Sequence, residues 1–198
     1  MADKFKLIAI TPEMAVENEI ESVVHIIDSG FDYVHIRKPG YSRNDLTAYL
    51  NAIPENYYPH IKLNDCFDLA DNFNVAGIHL NRRNSNLPDG FNGKISKSCH
   101  SFEELSNLGI YEYVFLSPIY DSICKQGYAS RFTTGELQEA HETGVINNKV
   151  IALGGMTASR IGEIKKYGFG GAAFLGYLFE STSSKELNNK LRTIINSI

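Results

Sequence analysis

Two glycine-containing turns are the features of this sequence that most directly suggest a ligand site. Gly154 and Gly155 follow the apolar run VIAL, and Gly176 follows the apolar run GAAFL. A glycine turn ahead of a helix lets backbone N–H groups approach an anion closely, and the helix dipole favours negative charge there. A single turn of this kind is better explained as only a tight bend. Because two such turns follow successive apolar runs, the pattern predicts phosphate binding at these three glycines.

Positively charged residues follow several of the other apolar runs. The runs are YVHI, GIHL and YVFLSPIY, and the cations behind them are Arg37, Lys38, Arg82, Arg83 and Lys125. Taken singly, each of these side chains could be an ordinary solvated surface charge. If the ends of the runs meet in the fold, several cations on one face suit a ligand with more than one phosphate, such as a diphosphate.

An Asn-Asp pair offers the metal chemistry that a diphosphate would use. Asn64 and Asp65 come directly after the short run IKL. Magnesium keeps several waters and takes few protein ligands, so one carboxylate, one amide and a diphosphate are a typical Mg²⁺ arrangement. The same pair could also cap a helix that begins near Cys66, and the two roles are compatible. The pair therefore predicts a Mg²⁺-assisted diphosphate site.

Three histidines in apolar segments are candidates for acid–base chemistry, since histidine titrates near neutral pH. They are His35, His79 and His100. We expect His79 to be a hydrogen-bonded residue of the core, whereas His35 and His100 stay open between a structural and a catalytic role. No clear catalytic triad accompanies them.

The composition narrows the class of protein. The chain has 198 residues, a hydrophobic fraction of 43% and a net charge of −4. This charge argues against a general nucleic-acid or membrane-surface binder, and the longest apolar stretch, residues 169–179, is too short to cross a bilayer. The N-terminus lacks the features of a signal peptide, and the three cysteines have no spacing typical of zinc or disulfides. We therefore expect a cytoplasmic protein without nucleic-acid or membrane partners.

The elements that must position these residues alternate regularly along the chain. Short apolar or β-branched runs are separated by segments that mostly have helical periodicity. The runs are KLIAIT, YVHIRK, YPHIKLND, AGIHL, KISKS, YVFLS, VIALGG and GAAFLG. The predicted helices span residues 16–29, 42–53, 101–108, 157–167 and 185–195. Ser42 is a candidate N-cap, and SFEE at the start of 101–108 has the pattern of a capping box.

This alternation predicts an α/β protein with a parallel sheet, organised as a single (β/α)8 TIM barrel over residues 1–198. The fourth helix is expected to be weak or missing, because residues 81–93 have the composition of a loop. A doubly wound open sheet is the structural alternative. Eight strands with polar or glycine ends favour the barrel, since in a barrel all of these ends meet at one face.

The ordered set of motifs resembles the thiamine-phosphate synthase family, which includes a thiazole tautomerase branch. The resemblance covers nearly the whole chain and is carried by YVHIRK, KLNDCFDLADNFNVAGIHL, SKSCHSFEEL, YVFLSPIYDSICK, ALGGMT and GFGGAAFLG. It implies a barrel enzyme that joins hydroxymethylpyrimidine diphosphate to thiazole phosphate and releases diphosphate, with Mg²⁺ as cofactor. The phosphorylated pyrimidine and thiazole would be its small-molecule partners, and a homo-oligomer stays open.

Several positions match the family pattern and take their implied roles from it. Arg37 corresponds to the arginine after the second strand, and Ser98 corresponds to the serine of the fifth strand. Asp65, beside Asn64, corresponds to the aspartate that binds magnesium, and Lys125 corresponds to the lysine of the loop after strand six. The resemblance thus implies catalytic roles for Arg37, Ser98 and Lys125, and it implies that the thiazole phosphate lies on the glycine turns.

Two departures from the family pattern lie at the second strand. The family's glutamine before the arginine is His35 in this chain, which we retain as a catalytic candidate. The family's lysine after the arginine is Pro39, so the neighbouring Lys38 is the expected substitute in substrate binding.

Further departures concern the metal and the loop after strand six. The family's second magnesium aspartate is Asn84, a neutral ligand that should weaken metal binding. We expect Asn84 to share the metal with Asp65. The family's two threonines before the loop lysine are Ser122 and Cys124, of which Ser122 is expected to bind substrate.

Three functions are therefore open from the sequence, and the Mg²⁺-dependent synthase is the one we expect. The second is a tautomerase-like isomerase, in which His35 or His100 would carry the proton. That branch often has histidine at the position of His35, but it usually lacks the Asn-Asp pair and has a catalytic histidine where this chain has Ser117. The third is a non-catalytic binder of thiazole phosphate or thiamine phosphate.

Overall fold

The computed structural model describes residues 4–121, 130–181 and 183–198 of the chain. Parallel strands close into a barrel in the order of the sequence, and β1 pairs with β8. The strands are β1 (Lys6–Ile10), β2 (Tyr33–Ile36), β3 (Ile61–Leu63), β4 (Gly77–Leu80), β5 (Lys94–Cys99), β6 (Tyr113–Leu116), β7 (Val150–Ala152) and β8 (Gly171–Phe174). The predicted eight-stranded barrel is confirmed, and the open-sheet alternative is wrong.

Helices follow most of the strands and surround the barrel. The α-helices in the described ranges are α1 (Glu19–Asp28), α2 (Arg43–Asn51), α3 (Leu69–Phe73), α4 (Thr134–Glu142), α5 (Ile161–Lys166), α6 (Gly176–Phe179) and α7 (Ser184–Ile195). Short 3-10 helices span Glu55–His60, Glu103–Leu105 and Ala158–Arg160. No helix lies between β4 and β5, a connection described in full, so the missing fourth helix is confirmed. Within the described ranges, no helix is long and apolar enough to cross a membrane.

The predicted cap of α2 is confirmed by its hydrogen bonds. The Ser42 hydroxyl accepts from the Asp45 amide at 3.2 Å, and the Asp45 carboxylate accepts from the Ser42 amide at 3.0 Å. This reciprocal pair satisfies two amides that a helix N-terminus would otherwise leave without a partner. It starts α2 at the residue that the sequence indicated, directly after the strand end that carries Arg37 and Lys38.

The predicted helix over residues 101–108 is wrong, because the chain makes only the 3-10 turn Glu103–Leu105 there. The residue before this turn is Phe102, and no side chain caps it. A hydrogen bond from the Ser101 side chain to the Glu103 carboxylate lowers the pKa of Glu103. Ser106, Asn107 and Gly109 follow the turn and have low helix propensity, so the helix does not continue.

The barrel interior contains an apolar and a polar set of side chains. Alternate strand residues point inward, and the apolar ones form one cluster made of Ile8, Ile10, Tyr33, Tyr113, Phe115, Ile151 and Ala173. The fully buried polar residues among them are His35, Lys62, His79 and Ser96. The outward-facing residues pack against the helices in a second and larger apolar cluster. A buried polar column therefore leads toward the C-terminal ends of the strands.

An ion cluster closes the opposite, N-terminal end of the barrel. Glu112 directly precedes β6, and its carboxylate accepts from Tyr33 Oη at 2.7 Å, Lys62 Nζ at 2.8 Å and Lys94 Nζ at 3.2 Å. Burial lowers the pKa of Lys62 to about 8, because desolvation of the ammonium outweighs its attraction to Glu112. The cluster joins residues of separate strands and connections, so no local sequence pattern indicates it.

Candidate active site

Most of the predicted site residues of the described ranges gather at one end of the barrel. They are Arg37, Asn64, Asp65, Asn84, Ser98, Gly154, Gly155 and Gly176. Because all strands are parallel, the residues at and after their C-terminal ends share one face, which is where barrel enzymes carry their active sites. Ser122 and Lys125, in the connection after β6, lie outside the described residues.

Asp65 is the centre of a cluster built from three strand connections. Its Oδ2 accepts from the backbone amide of Lys38 at 3.1 Å. Its Oδ1 accepts from Arg83 Nη2 at 3.0 Å and from Asn84 Nδ2 at 3.1 Å. The side chain is only 9% exposed, so these contacts hold the carboxylate in one orientation. The structure thus brings together the two residues that the sequence predicted to share a metal.

The Asn-Asp pair does not cap α3, which was the other predicted role for it. α3 begins at Leu69, and the residue before it is Asp68, whose side chain makes no capping bond. The backbone carbonyl of Asn64 instead accepts from the side-chain amides of Asn81 at 2.8 Å and Asn84 at 3.0 Å. The pair therefore binds the β4–β5 connection to the end of β3.

His35 lies inside the barrel below this cluster, with no exposed surface. The amide oxygen of Asn64 faces its Nδ1 at 3.0 Å, which requires a proton on that nitrogen. Its Nε2 then accepts from the hydroxyl of Tyr113 at 2.6 Å. Burial, with smaller contributions from His79 and Lys62, holds the pKa of His35 well below its usual value, so the ring is neutral. Both ring nitrogens are occupied by protein groups.

This placement does not support the prediction that His35 is a catalytic residue. A group that transfers protons must reach the substrate directly or through one water. The ring of His35 is enclosed by protein and bonded at both nitrogens, so it has no path to a ligand at the open face. Its geometry is that of a residue that positions Asn64.

The expectation that His79 is a core histidine is confirmed. Its two ring nitrogens lie 3.0 Å from Ser96 Oγ and 2.8 Å from Ser98 Oγ, and the ring is buried. Burial lowers its pKa to about 3, so it is neutral as well. The contact fixes the hydroxyl of Ser98 at the upper end of the polar column, next to the open face.

Arg37 lies at the rim, between the connections that follow β1 and β2. Its backbone amide donates to Thr11 Oγ1 at 2.9 Å, and its Nη1 lies 2.8 Å from Glu13 Oε1. The guanidinium remains partly exposed. The structure therefore leaves Arg37 at the predicted face, where its remaining donors can reach a ligand.

The structure does not support the prediction of Lys38 as a phosphate ligand. Its ammonium is completely buried and donates to Glu19 at 2.8 Å, to the carbonyl of Pro12 at 2.9 Å and to the carbonyl of Met14 at 3.3 Å. An ammonium has three donors, and all three are used here. Lys38 therefore anchors the β1–α1 connection through its ion pair with Glu19.

The glycine turns at the ends of β7 and β8 are shaped by close packing. Gly154 and Gly155 have φ angles of +97° and +60°, which favour glycine. A Cβ atom on Gly154 would lie 2.8 Å from the Cα of Pro118. Gly176 is the first residue of the short helix α6. Packing thus accounts for Gly154 and Gly155 by itself, and phosphate binding at the three glycines remains a prediction.

Arg83 is the site residue whose role the sequence analysis missed. It was recognised only as one of several cations after strand ends, whereas the structure places it directly on Asp65. The signal that could have found it is its position next to Asn84, the expected partner of Asp65. Asn81, which begins the same turn, was also not singled out.

The side-chain oxygens at Asp65 and Asn84 are suitable ligands for a magnesium ion that arrives with a phosphorylated ligand. Among the described residues, no group of three or more His, Cys, Asp or Glu side chains could hold a metal. Asp65 offers one carboxylate, and Nδ2 of Asn84 donates to Oδ1 of that carboxylate, so the amide oxygen of Asn84 would have to turn toward the metal to ligate it. Magnesium takes one or two carboxylates and completes its octahedral shell with water and substrate phosphates. The pair can therefore hold Mg²⁺ if phosphate oxygens and water supply the other positions.

The sequence of the chain is similar to that of known synthases. A family profile described as thiamine monophosphate synthase matches residues 7–178. The thiamine-phosphate synthase of Flavobacterium johnsoniae is 25% identical over 94% of this chain and 96% of its own length. The thiamine-phosphate synthase of Lactococcus lactis is 22% identical over 91% of this chain and 89% of its own length.

Solved structures agree with this similarity. The thiamine phosphate pyrophosphorylase from Bacteroides thetaiotaomicron superposes with a TM-score of 0.88 at 34% identity, covering 98% of this chain and 97% of that one. The thiamine phosphate pyrophosphorylase from Pyrococcus furiosus shares the fold, with a TM-score of 0.78 at 18% identity. The superposition covers 98% of this chain and 96% of that one. The barrel, the strand-end residues and the profile match over most of the chain lead to one conclusion: this chain belongs to the thiamine monophosphate synthase family.

Proposed function

We propose that this chain makes thiamine phosphate from hydroxymethylpyrimidine diphosphate and thiazole phosphate. The observation that carries the proposal is the cluster of Asp65, Arg83 and Asn84 at the C-terminal face. Its residues follow β3 and β4, whereas the Gly154–Gly155 turn follows β7, across the eight-stranded barrel. Two phosphorylated substrates can therefore bind at separate places around one central space. The names of the similar synthases agree with this assignment.

The reaction requires one bond to break and one to form. The carbon–oxygen bond between the pyrimidine methylene and the diphosphate breaks, and its electron pair leaves on the diphosphate oxygen. The lone pair of the thiazole nitrogen then forms the carbon–nitrogen bond to the methylene. Negative charge develops on the leaving diphosphate, so fixed positive charge near it lowers the barrier.

We assign the diphosphate to the side of the face that carries Arg37, Arg83 and Asp65. The two guanidinium groups are partly exposed there and can donate bidentate hydrogen bonds to phosphate oxygens. Asp65 and Asn84 would hold a Mg²⁺ ion, which supplies positive charge to the leaving diphosphate when bound. Their role as metal ligands and the magnesium requirement are part of this proposal.

The remaining predicted residues complete the pocket in this scheme. Ser98, held by His79, presents its hydroxyl at the floor of the site. Gly154, Gly155 and Gly176 receive the thiazole phosphate through their backbone amides. The family pattern adds Ser122 and Lys125 on the connection after β6.

The burial of His35 argues against one of the two proton shuttles that an isomerase would use. The isomerase would need a proton shuttle at His35 or His100. His35 is enclosed and neutral, whereas His100 is exposed and its Nδ1 faces the backbone carbonyl of Ser117 at 3.0 Å, so His100 is the shuttle that the isomerase would have to use. The proposed transfer asks for little acid–base work, because its leaving group departs as a stabilised anion.

The experiment is a product assay by mass spectrometry, with the pyrimidine diphosphate and the thiazole phosphate as substrates. The assay is run with Mg²⁺ and with a chelator. We expect thiamine phosphate only with Mg²⁺. Asp65→Asn should abolish most of the activity, while Asp68→Asn, which changes an exposed carboxylate on the same connection, should retain it. Absence of product from the unmodified chain would overturn the proposal and leave the binding of product or thiazole phosphate to be measured.

A further inference from the structure

The turn that carries Arg83 is clamped to the end of β3. The backbone amide of Asn81 donates to the carbonyl of Asn84 at 3.0 Å, and the reverse bond is 3.1 Å long. The side-chain oxygen of Asn81 accepts from the amide of Arg83 at 3.0 Å, and its nitrogen donates to the carbonyl of Asn64 at 2.8 Å. The backbone of the turn is therefore held in place, which puts the Arg83 side chain within reach of Asp65.

The guanidinium of Arg83 occupies the position that a metal ion would need. It bonds to Oδ1 of Asp65 at 3.0 Å, and this is also the oxygen that Asn84 contacts. The other oxygen, Oδ2, accepts from the backbone amide of Lys38 and is turned into the protein. A divalent cation at Oδ1 and the guanidinium would repel each other at this distance. One of them must leave the carboxylate.

The two members of the ion pair differ in their freedom to move. The Asp65 side chain is 9% exposed and held by three donors, whereas the Arg83 side chain is 42% exposed. A long arginine side chain can turn toward the open face without breaking the clamped turn. A diphosphate bound there would offer it phosphate oxygens in a bidentate geometry.

We infer that Arg83 is an internal counter-ion for Asp65, so that a divalent cation binds this site well only together with diphosphate. With metal alone, the cation must displace Arg83 from Asp65 and leave it without a partner. With diphosphate present, Arg83 transfers to the phosphate oxygens and frees Oδ1 for the metal. Metal and diphosphate therefore promote each other's binding, by the same factor in each direction. The inference rests on the proposed function for its choice of diphosphate.

Calorimetric titration with Mn²⁺ or Mg²⁺ alone, with inorganic diphosphate alone and with both tests this inference. Arg83→Ala should bind metal alone about three- to tenfold more tightly than the unmodified chain, since one partly exposed ion pair no longer competes. It should also lose most of the mutual enhancement between metal and diphosphate. Unchanged or weaker metal binding by Arg83→Ala, or none that can be measured, overturns the inference.

Two further variants test whether the effect on metal binding depends on a positive charge at position 83 or on positive charge anywhere in the turn. Arg82→Ala removes the same charge from the adjacent, exposed position and should bind metal alone as the unmodified chain does. Arg83→Lys keeps the charge and should bind metal alone no more than about twofold more tightly. Tighter metal binding in Arg82→Ala as well would show a general charge effect and overturn the inference.

The product assay and the metal titrations test the proposed function and the role of Arg83 separately. The product assay on the unmodified chain decides whether thiamine phosphate is made. The titrations decide whether Arg83 competes with the metal, because they contain neither the pyrimidine nor the thiazole. Product formation with equal metal binding by the unmodified chain and Arg83→Ala removes the inference alone.

Discussion

Nδ1 of His35 lies 3.0 Å from the amide oxygen of Asn64, and this hydrogen bond joins the buried interior of the barrel to its open face. On the inner side, His35 accepts from the hydroxyl of Tyr113. On the outer side, the carbonyl of Asn64 accepts from Asn81 and Asn84, which carry the turn with Arg83. The position of the proposed diphosphate site therefore depends on a residue that is buried inside the barrel.

The two neutral histidines predict a loss of stability in acid. In the folded chain the pKa of His79 is about 3 and that of His35 is also well below 6.5, whereas both take up protons near pH 6.5 when unfolded. The unfolded state therefore binds more protons as pH falls below 6.5, and the free energy of unfolding decreases.

Replacement of His35 by glutamine tests this prediction, since an amide can donate to Asn64 and accept from Tyr113. Below pH 6.5, the free energy of unfolding should fall less steeply with decreasing pH in His35→Gln than in the unmodified chain. The two slopes should differ by up to about 1.4 kcal/mol per pH unit. Denaturant unfolding between pH 4.5 and 7 measures this slope, with His141→Gln at an exposed position as the control for loss of a histidine. Equal slopes in all three proteins would contradict the prediction.

Lys38→Met should destabilise the fold through the carboxylate that it leaves behind. Glu19 is 4% exposed, and without Lys38 its charge loses the ion pair, although it keeps its bonds to Tyr49 and the amide of Val16. Removing one partner of a buried pair costs about 3–5 kcal/mol. Chemical denaturation measures the loss, and the double variant with Glu19→Gln should recover part of it. A stable Lys38→Met with a raised KM for a phosphorylated substrate would restore the phosphate-binding role.

The ion cluster at the N-terminal end predicts a gain of stability in mild alkali. The pKa of Lys62 is about 8 in the folded chain and 10.5 when exposed, so between these values the unfolded state holds the extra proton. Stability therefore rises with pH through this window. Above about pH 10 the rise is opposed, because the raised pKa of buried tyrosines such as Tyr113 keeps them protonated only in the folded state.

Lys62→Met is the variant that isolates this effect. Its free energy of unfolding should lack the increase between pH 8 and pH 9.5 that the unmodified chain shows. Lys94→Met removes a more exposed partner of the same glutamate, and it should keep the increase. The prediction fails if the pH dependence of Lys62→Met matches that of the unmodified chain.

Gly154→Ala should weaken the fold whatever the turn binds. Its φ of +97° disfavours an L side chain, and the new Cβ would meet the backbone of Pro118. Such a position costs about 1–3 kcal/mol. Gly135→Ala is the control, since it lies in α4 with nothing within 4 Å of the added atom, and it should be neutral or stabilising. Thermal unfolding compares the two, and equal melting temperatures would count against this account.

Local sequence patterns were sufficient for much of the fold. The alternation of apolar runs with helical segments predicted the barrel, because each pattern depends on residues near one another in the chain. The capping pair Ser42 and Asp45 marked the start of α2 correctly for the same reason. The similar pattern at Ser101 failed, because Phe102, which offers no capping side chain, precedes the 3-10 turn and residues of low helix propensity follow it.

The sequence alone determined that the polar strand ends meet, and with them Asp65 and Asn84, because closure of parallel strands brings every C-terminal end to one face. It did not determine which cation serves Asp65. Lys38 is adjacent to the predicted site in sequence, yet it is bound by Glu19 on α1, while Arg83 on a distant connection holds the carboxylate. Nor did it show that His35 lies inside the barrel. Burial and ion pairing are set by contacts between residues far apart in the chain, and only the tertiary structure decides them.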